Sequence, residues 1–293
     1  MLVVKADFMG DIAASYLDKN LIGEIHSVFE QVINIVLPNQ RLLTLATKNV
    51  SKLPGGINLD WEENFKSLPL EMGDTVYLTK GSLVISDLLY VDFTNTVKWL
   101  SSPFSVAESA DLEEISFNYE ELRTLLKNEA NLDGLAGLWV NKSNNLIKHF
   151  LFPLSEWCEG IRDKNHEKLY LGMEKMIGLG PGLTPSGDDF LLGGLAVLNY
   201  WPDHRLKMNL IQKKTQQIAD EKTTDISREY LYQASEGHYS WELNCLLFFL
   251  VNKKSSKEML RNQVRKVIEI GCTSGSDILT GVGMTLKAIL SAG

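Results

Sequence analysis

Two stretches far apart in this chain align without a gap: Ser186-Gly187-Asp188-Asp189-Phe190-Leu191-Leu192-Gly193 and Ser274-Gly275-Ser276-Asp277-Ile278-Leu279-Thr280-Gly281. Each opens a run that is apolar or small on nearly every side, from Phe190 to Leu198 and from Ile278 to Leu286. A helix of that composition offers water no face, so both belong in the middle of a helical domain. Gly193, Gly194, Gly281 and Gly283 cost helix propensity and are tolerated where backbones approach closely. The duplication therefore predicts two buried Gly-rich helices packed side by side with their N-termini in one place.

The rest of the chain divides by period. From His26 to about Leu100 the segments VFEQVINIVL, RLLTLAT, DTVYLT and SLVISD are short, rich in β-branched residues and punctuated by Pro54-Gly55-Gly56 and Gly73-Asp74. After Pro103 the spacing becomes helical, with expected helices over 119–129, 169–177, 206–219, 227–235, 239–252, 257–270 and 276–290. In the 257–270 segment, Leu260, Val264, Val267 and Ile268 form a stripe, Ser255 with Glu258 reads as a capping box, and Gly271 reads as the stop. The expected fold class is α+β: a β-rich N-terminal domain over 1–103, a small barrel or sandwich, then a mainly α-helical domain over 104–293.

A chain of 293 residues with a net charge of -8 is ordinary for a globular protein and poor for a nucleic-acid surface. The nearest thing to a basic cluster, Lys253, Lys254, Lys257, Arg261, Arg265 and Lys266, is interleaved with acids and reads as a solvated helix face. Neither a secretory leader nor a membrane span is expected, and the expected location is the cytoplasm. Three widely separated cysteines read as reduced buried thiols.

The motif itself carries two readings. With Ser186 and Ser274 as N-caps, Asp189 and Asp277 fall at N3 and complete short acidic capping boxes, worth about 1 kcal/mol each. A cap, however, requires neither the preceding Gly178-Leu-Gly-Pro-Gly-Leu-Thr-Pro185 nor two consecutive carboxylates nor a second copy. The other reading is a ligand site. Free N–H groups and the helix dipole favour a small anion there, with Gly182, Gly187 and Gly275 letting backbone approach and Thr184, Ser186, Thr273 and Ser274 offering hydroxyls. Asp188 and Asp189 are the candidate catalytic groups, with Asp277 beside them. Asp188 is the candidate ligand for a cation, magnesium being the metal considered, or the acceptor for an amide-bearing substrate. Thr223, Thr224 and Ser227 read as a further wall of the pocket with Arg228 as an anion clamp, or else Thr224 or Asp225 is a plain N-cap. Neither a Walker loop nor a dinucleotide fingerprint is present in the sequence.

GLGPGLTPSGDDFLLGG, the TTDIS segment with Leu231, Ala234 and Gly237, and the Ser-Gly-x-Asp repeat together resemble the family catalogued as DUF2877. That family includes the third subunit of bacterial oxamate carbamoyltransferase, of allantoin and purine degradation. The resemblance implies membership of a complex with an acyl-CoA-synthetase-like subunit. It also implies a reaction interconverting oxalurate plus phosphate with oxamate plus carbamoyl phosphate. The usual carbamoyltransferase signature, Ser-x-Arg-Thr-Arg, is absent from the sequence, so the chemistry here would use another arrangement or another subunit. Two alternatives stand beside this reading: a magnesium-dependent hydrolase using Asp188, Asp189 and Asp277, and a non-catalytic scaffold.

Overall fold

The structure, a computed structural model, describes residues 1–17, 19–103, 112–201, 206–252 and 256–291. The chain divides into two compact units, Met1–Ser102 and Pro103–Gly293.

The first unit is a closed barrel of eight strands: β1 (Leu2–Gly10), β2 (Leu21–Val28), β3 (Val32–Val36), β4 (Leu42–Ala46), β5 (Gly56–Leu59), β6 (Thr75–Leu78), β7 (Ser82–Ile85) and β8 (Leu89–Asp92). The order is β5-β4-β3-β2-β6-β7-β8-β1, and a β1–β5 pairing joins the ends. β1 achieves closure because it is long. Along one edge it pairs in parallel with β8 and then with β9 (Val97–Trp99); along the other it meets β5 antiparallel, with a bulge between Ala6 and Phe8. Val4 and Ala6 point inward before the bulge and Met9 after it, so the alternation that marks a strand is interrupted midway. The segment VFEQVINIVL is not one strand but parts of two, separated by a turn in which Phe29 N donates to Val32 O at 2.7 Å. Gly10 lets β1 pass close to the Pro-Gly-Gly segment, because a Cβ there would strike the carbonyls of Leu53 and Pro54. Helix α1 (Asp11–Leu17) follows directly and buries Ala13 and Leu17 in the barrel core.

The second unit contains α2 (Leu112–Glu129), a 3₁₀ helix (Leu135–Val140), α3 (Asn145–Arg162), α4 (His166–Met176), α5 (Ser186–Tyr200), α6 (Met208–Lys222), α7 (Asp225–Ser235), α8 (Trp241–Val251), α9 (Lys257–Ile268) and α10 (Ser274–Leu290). The expected helices form, and α3 is added to them. Its Pro153 reads as a breaker at a cost of about 3 kcal/mol. Burial of Phe150, Trp157 and Ile161 on one face contributes roughly 1.5–3 kcal/mol for each large apolar side chain and outweighs it. Helices α5 and α10 lie side by side at the centre, as their composition requires. Trp157 Nε1 donates to Thr285 Oγ1 at 2.9 Å, which ties α3 to α10, and Phe190 sits edge-on to Phe150 at 5.0 Å.

Several local expectations are corrected. Ser255 lies outside the described residues, as do Lys253 and Lys254; the cap of α9 is Ser256, which accepts from Met259 N at 3.2 Å. The arginines of α9 lie on an exposed face, as expected, and are paired with acids of α2. Arg265 makes two bonds to Glu129 of α2, at 2.8 and 2.9 Å, and Arg261 meets Glu121 at 2.5 Å. Cys272 is exposed rather than buried, and burial pushes the Cys158 thiol up to about 11. Among the described residues, no helix is long and apolar enough to cross a membrane.

Candidate functional site

The duplicated motif builds a local two-fold arrangement from backbone upward. A Cβ on Gly193 would collide with the carbonyl oxygen of Ile278, and one on Gly281 with that of Phe190, so equivalent residues of α5 and α10 make reciprocal contacts. One step earlier, a Cβ on Gly187 would strike Met176 O at the end of α4, and one on Gly275 would strike Val267 O at the end of α9. The N–H groups of these two glycines donate to Leu179 O and Ile270 O, both at 2.9 Å. Glycine is required at these four positions by close approach; positive φ is required at Gly178, Gly180 and Gly182, which turn the chain from α4 into α5.

Ser186 and Ser274 are not the caps. Pro185 and Thr273 occupy the cap positions without a side-chain bond to the first-turn N–H groups, so both serines sit at N1 and both aspartates, Asp189 and Asp277, at N4. This shift of one residue takes both carboxyls off the N3 position of a capping box. Each meets a serine at the start of the other helix, Asp189 with Ser274 and Asp277 with Ser186. The Ser274 and Thr184 hydroxyls favour the Asp189 anion, while those of Ser186 and Thr273 favour that of Asp277. Thr184 Oγ1 and Ser274 Oγ lie 3.0 Å apart and close the ring.

Asp188 behaves differently from its neighbour. Its Oδ1 accepts from Gly178 N at 2.7 Å, and its Oδ2 accepts from Ser227 Oγ at 2.6 Å and from the Thr223 hydroxyl. It joins the loop before α5 to the start of α7. Thr224 is the plain cap of α7, accepting from Ser227 N at 3.1 Å, and its own hydroxyl donates to Leu183 O at 2.5 Å. The residues expected as a pocket wall therefore hold Asp188 and the loop in place. Arg228 pairs with Asp225 at 2.9 Å. The role of free carboxylate expected of Asp188 passes to the other two acids.

Asp189 and Asp277 are 4% and 0% exposed, yet Oδ2 of each has no hydrogen-bond partner among the described residues. Burial raises both pKa values, that of Asp277 to about 6. Burial pushes Asp189 well above the carboxylate range against the opposing Ser274 hydroxyl, with the nearby Asp277 and Asp188 charges adding to the rise and Thr184 opposing it. Asp188, burial notwithstanding, is raised less because three donors stabilise its charge.

Two further segments complete the surroundings without having been singled out in the sequence. Leu135 N donates to Asp277 Oδ1 at 2.6 Å, and a Cβ on Gly134 would overlap that carboxylate. Asn131 N donates to Ser276 Oγ at 3.0 Å, and Asn131 Nδ2 to Cys272 O at 2.9 Å. The turn signal Asp133-Gly134 marks a loop but gives no hint of its partner. On α7, half-buried Tyr230 lies one turn beyond Ser227; burial, with Asp189 and Glu229 nearby, pushes its hydroxyl up to about 12 and keeps it a neutral donor.

The arrangement leaves few helix N–H groups for an anion. Those of Gly187, Asp188 and Asp189 are taken by Leu179 and Pro185 carbonyls, and those of Gly275 and Asp277 by Ile270 and Thr273. What remains is a ring of hydroxyls around two carboxyl oxygens in need of donors. Among the described residues no three His, Cys, Asp or Glu side chains gather as a ligand set for a metal ion.

The family model described as oxamate carbamoyltransferase subunit AllH matches residues 176–286, and that described as AllH family N-terminal domain matches residues 3–98. The two between them take in more than two thirds of the chain, and the first contains the whole duplicated motif. No solved structure matches the chain.

Proposed function

The chain belongs to the AllH family of oxamate carbamoyltransferase subunits, and from that premise we propose that it binds the small anionic metabolite of carbamoyl transfer at the paired starts of α5 and α10. One observation carries the reading: Asp189 and Asp277 are buried at the crossing of a duplicated helix pair, each with one oxygen that no chain donor satisfies. Leaving a buried polar atom unpaired costs about 1–3 kcal/mol, a cost that folding alone gives no reason to keep twice.

The roles follow from protonation. Towards oxalurate, the amide nitrogen of oxamate bonds to the carbamoyl carbon, the bond from that carbon to phosphate oxygen breaks, and the nitrogen gives up a proton. Asp277, ionised above about 6, accepts that proton. Asp189 accepts from the second N–H of that amide and orients it. Ser186, Ser274, Thr184 and Thr273 supply hydroxyl donors and acceptors around the ligand. Asp188, Thr223 and Ser227 act by position, fixing the loop that contains Gly180, Gly182 and Thr184. The magnesium reading loses its main support, because Asp188 already spends both oxygens on chain donors. The partners proposed are other subunits, an acyl-CoA-synthetase-like one among them, in the cytoplasm.

Isothermal titration of the protein, alone and assembled with its partner subunits, against carbamoyl phosphate, phosphate and oxamate tests the proposal. Saturable heat is expected with at least one of them, and weaker binding in Asp277→Asn. No heat with any of the three, in either form, overturns it.

A further inference from the structure

The proposed site leaves open which end of the ligand the buried acids face. Resting on that site, we infer that Asp189 and Asp277 together read the carboxamide end of the ligand and reject a carboxylate there.

The inference starts from what the two acids lack. Oδ2 of each is without a donor although both residues are more than nine-tenths buried. The donors that bond the two acids are Leu135 N on Oδ1 of Asp277, with the Ser186 and Thr273 hydroxyls on the same carboxylate, and the Ser274 and Thr184 hydroxyls on Asp189. The charged groups that act on the pair are acids; Asp188 and Asp277 bear on Asp189, and among the described residues no lysine, arginine or histidine contributes to either. The neighbouring Tyr230 is a neutral phenol. A ligand carboxylate placed here would meet no cation and at least one like charge. A neutral –CO–NH2 group brings two N–H donors on one nitrogen, one for each free oxygen, and a carbonyl oxygen suited to the hydroxyl ring.

The duplication explains why the acceptors come as a matched pair. Asp189 and Asp277 are equivalent positions of α5 and α10, and the reciprocal glycine contacts fix the two helix starts against each other. The two hydrogens of one primary amide nitrogen, one cis and one trans to its carbonyl oxygen, supply one donor to each acid. A site built to bond N–H groups rejects an analogue without them strongly, because its own buried acceptors are then left unpaired. The pair therefore sets the orientation of a two-carbon amide acid: amide inward, carboxylate outward.

The test uses the assembled complex and three probes of similar size: oxamate, oxalate and N,N-dimethyloxamate. Wild-type protein is expected to bind oxamate about 100-fold or more tightly than either of the others. Asp189→Asn and Asp277→Asn, which keep shape while exchanging an acceptor for a donor, are expected to compress that preference below about tenfold. Their melting temperatures are expected to stay at or above wild type, since each removes a buried charge. Oxalate binding within a few-fold of oxamate, or an undiminished preference in both variants, overturns the inference while leaving the site standing. Absence of binding by wild type to every anion tried overturns the site and the inference with it.

Discussion

The starts of α5 and α10 share the frame Ser-Gly-x-Asp, and their difference is confined to the third position, Asp188 in one and Ser276 in the other. Asp188 takes donors from the preceding loop and from α7, whereas Ser276 Oγ accepts a single bond from Asn131 N. The repeated positions thus make the paired core: glycines for backbone contact, serines and aspartates reaching across. The unrepeated position attaches each helix to its own neighbours. The connection into α5 is also the longer of the two. Eight residues lead from Leu179, the acceptor, to Gly187, the donor, against five from Ile270 to Gly275, and the added length carries Thr184 to Ser274.

The largest stability effect belongs to the unrepeated carboxylate. Asp188→Ala strands Gly178 N and the Thr223 and Ser227 hydroxyls, and is expected to cost about 4 kcal/mol by denaturant unfolding. A loss below about 1 kcal/mol would mean that Asp188 is not the anchor described. Next come the contacts across the pair. Gly193→Ala and Gly281→Ala each force a Cβ onto a carbonyl oxygen and are expected to lose about 2–3 kcal/mol, beyond the ~1 kcal/mol that alanine gains in helix propensity. Unequal losses, one variant near wild type and the other unfolded, would break the two-fold relation.

The acid pair also has a signature in pH. A carboxyl whose pKa is raised in the fold binds its proton more tightly folded than unfolded. For Asp277, stability is fully present below the unfolded value of about 4 and is lost as pH rises through about 6. The expected loss across that window is about 2 kcal/mol. Asp189 has the same sign and extends the decline to higher pH. Asp277→Asn is expected to flatten the slope between pH 4 and pH 6, as read from melting curves; an unchanged slope would place the titrating group elsewhere. The smallest effect belongs to the counterpart of Asp188. Ser276→Ala removes one acceptor from Asn131 N and is expected to cost about 1 kcal/mol. A cost matching that of Asp188→Ala would erase the distinction between the two helix starts.

Much of this was legible in the sequence, for identifiable reasons. Apolar composition on every side placed α5 and α10 in the core, and the gapless alignment placed their N-termini together. The roles of the two consecutive aspartates were not legible. Ser at the first position reads as a cap, yet Pro185 and Thr273 take the cap positions, and the shift of one residue turns Asp189 and Asp277 toward each other. Asp188 looked free because its donors, Gly178, Thr223 and Ser227, come from a loop and a helix whose proximity no spacing reveals. Asn131 to Leu135 escaped notice for the same reason. In the first unit, β1 was obscured by the bulge after Ala6, which breaks the alternation before it becomes readable. Pro153 concealed α3, where tertiary burial overrides local propensity.

The most direct measurement is the carbamoylation of oxamate by the assembled complex containing Asp277→Asn, with unfolding of the same protein recorded alongside. If the acid pair is the ligand site, kcat/KM falls about 100-fold or more while the melting temperature holds or rises. Transfer at the wild-type rate by a fully folded variant would contradict it.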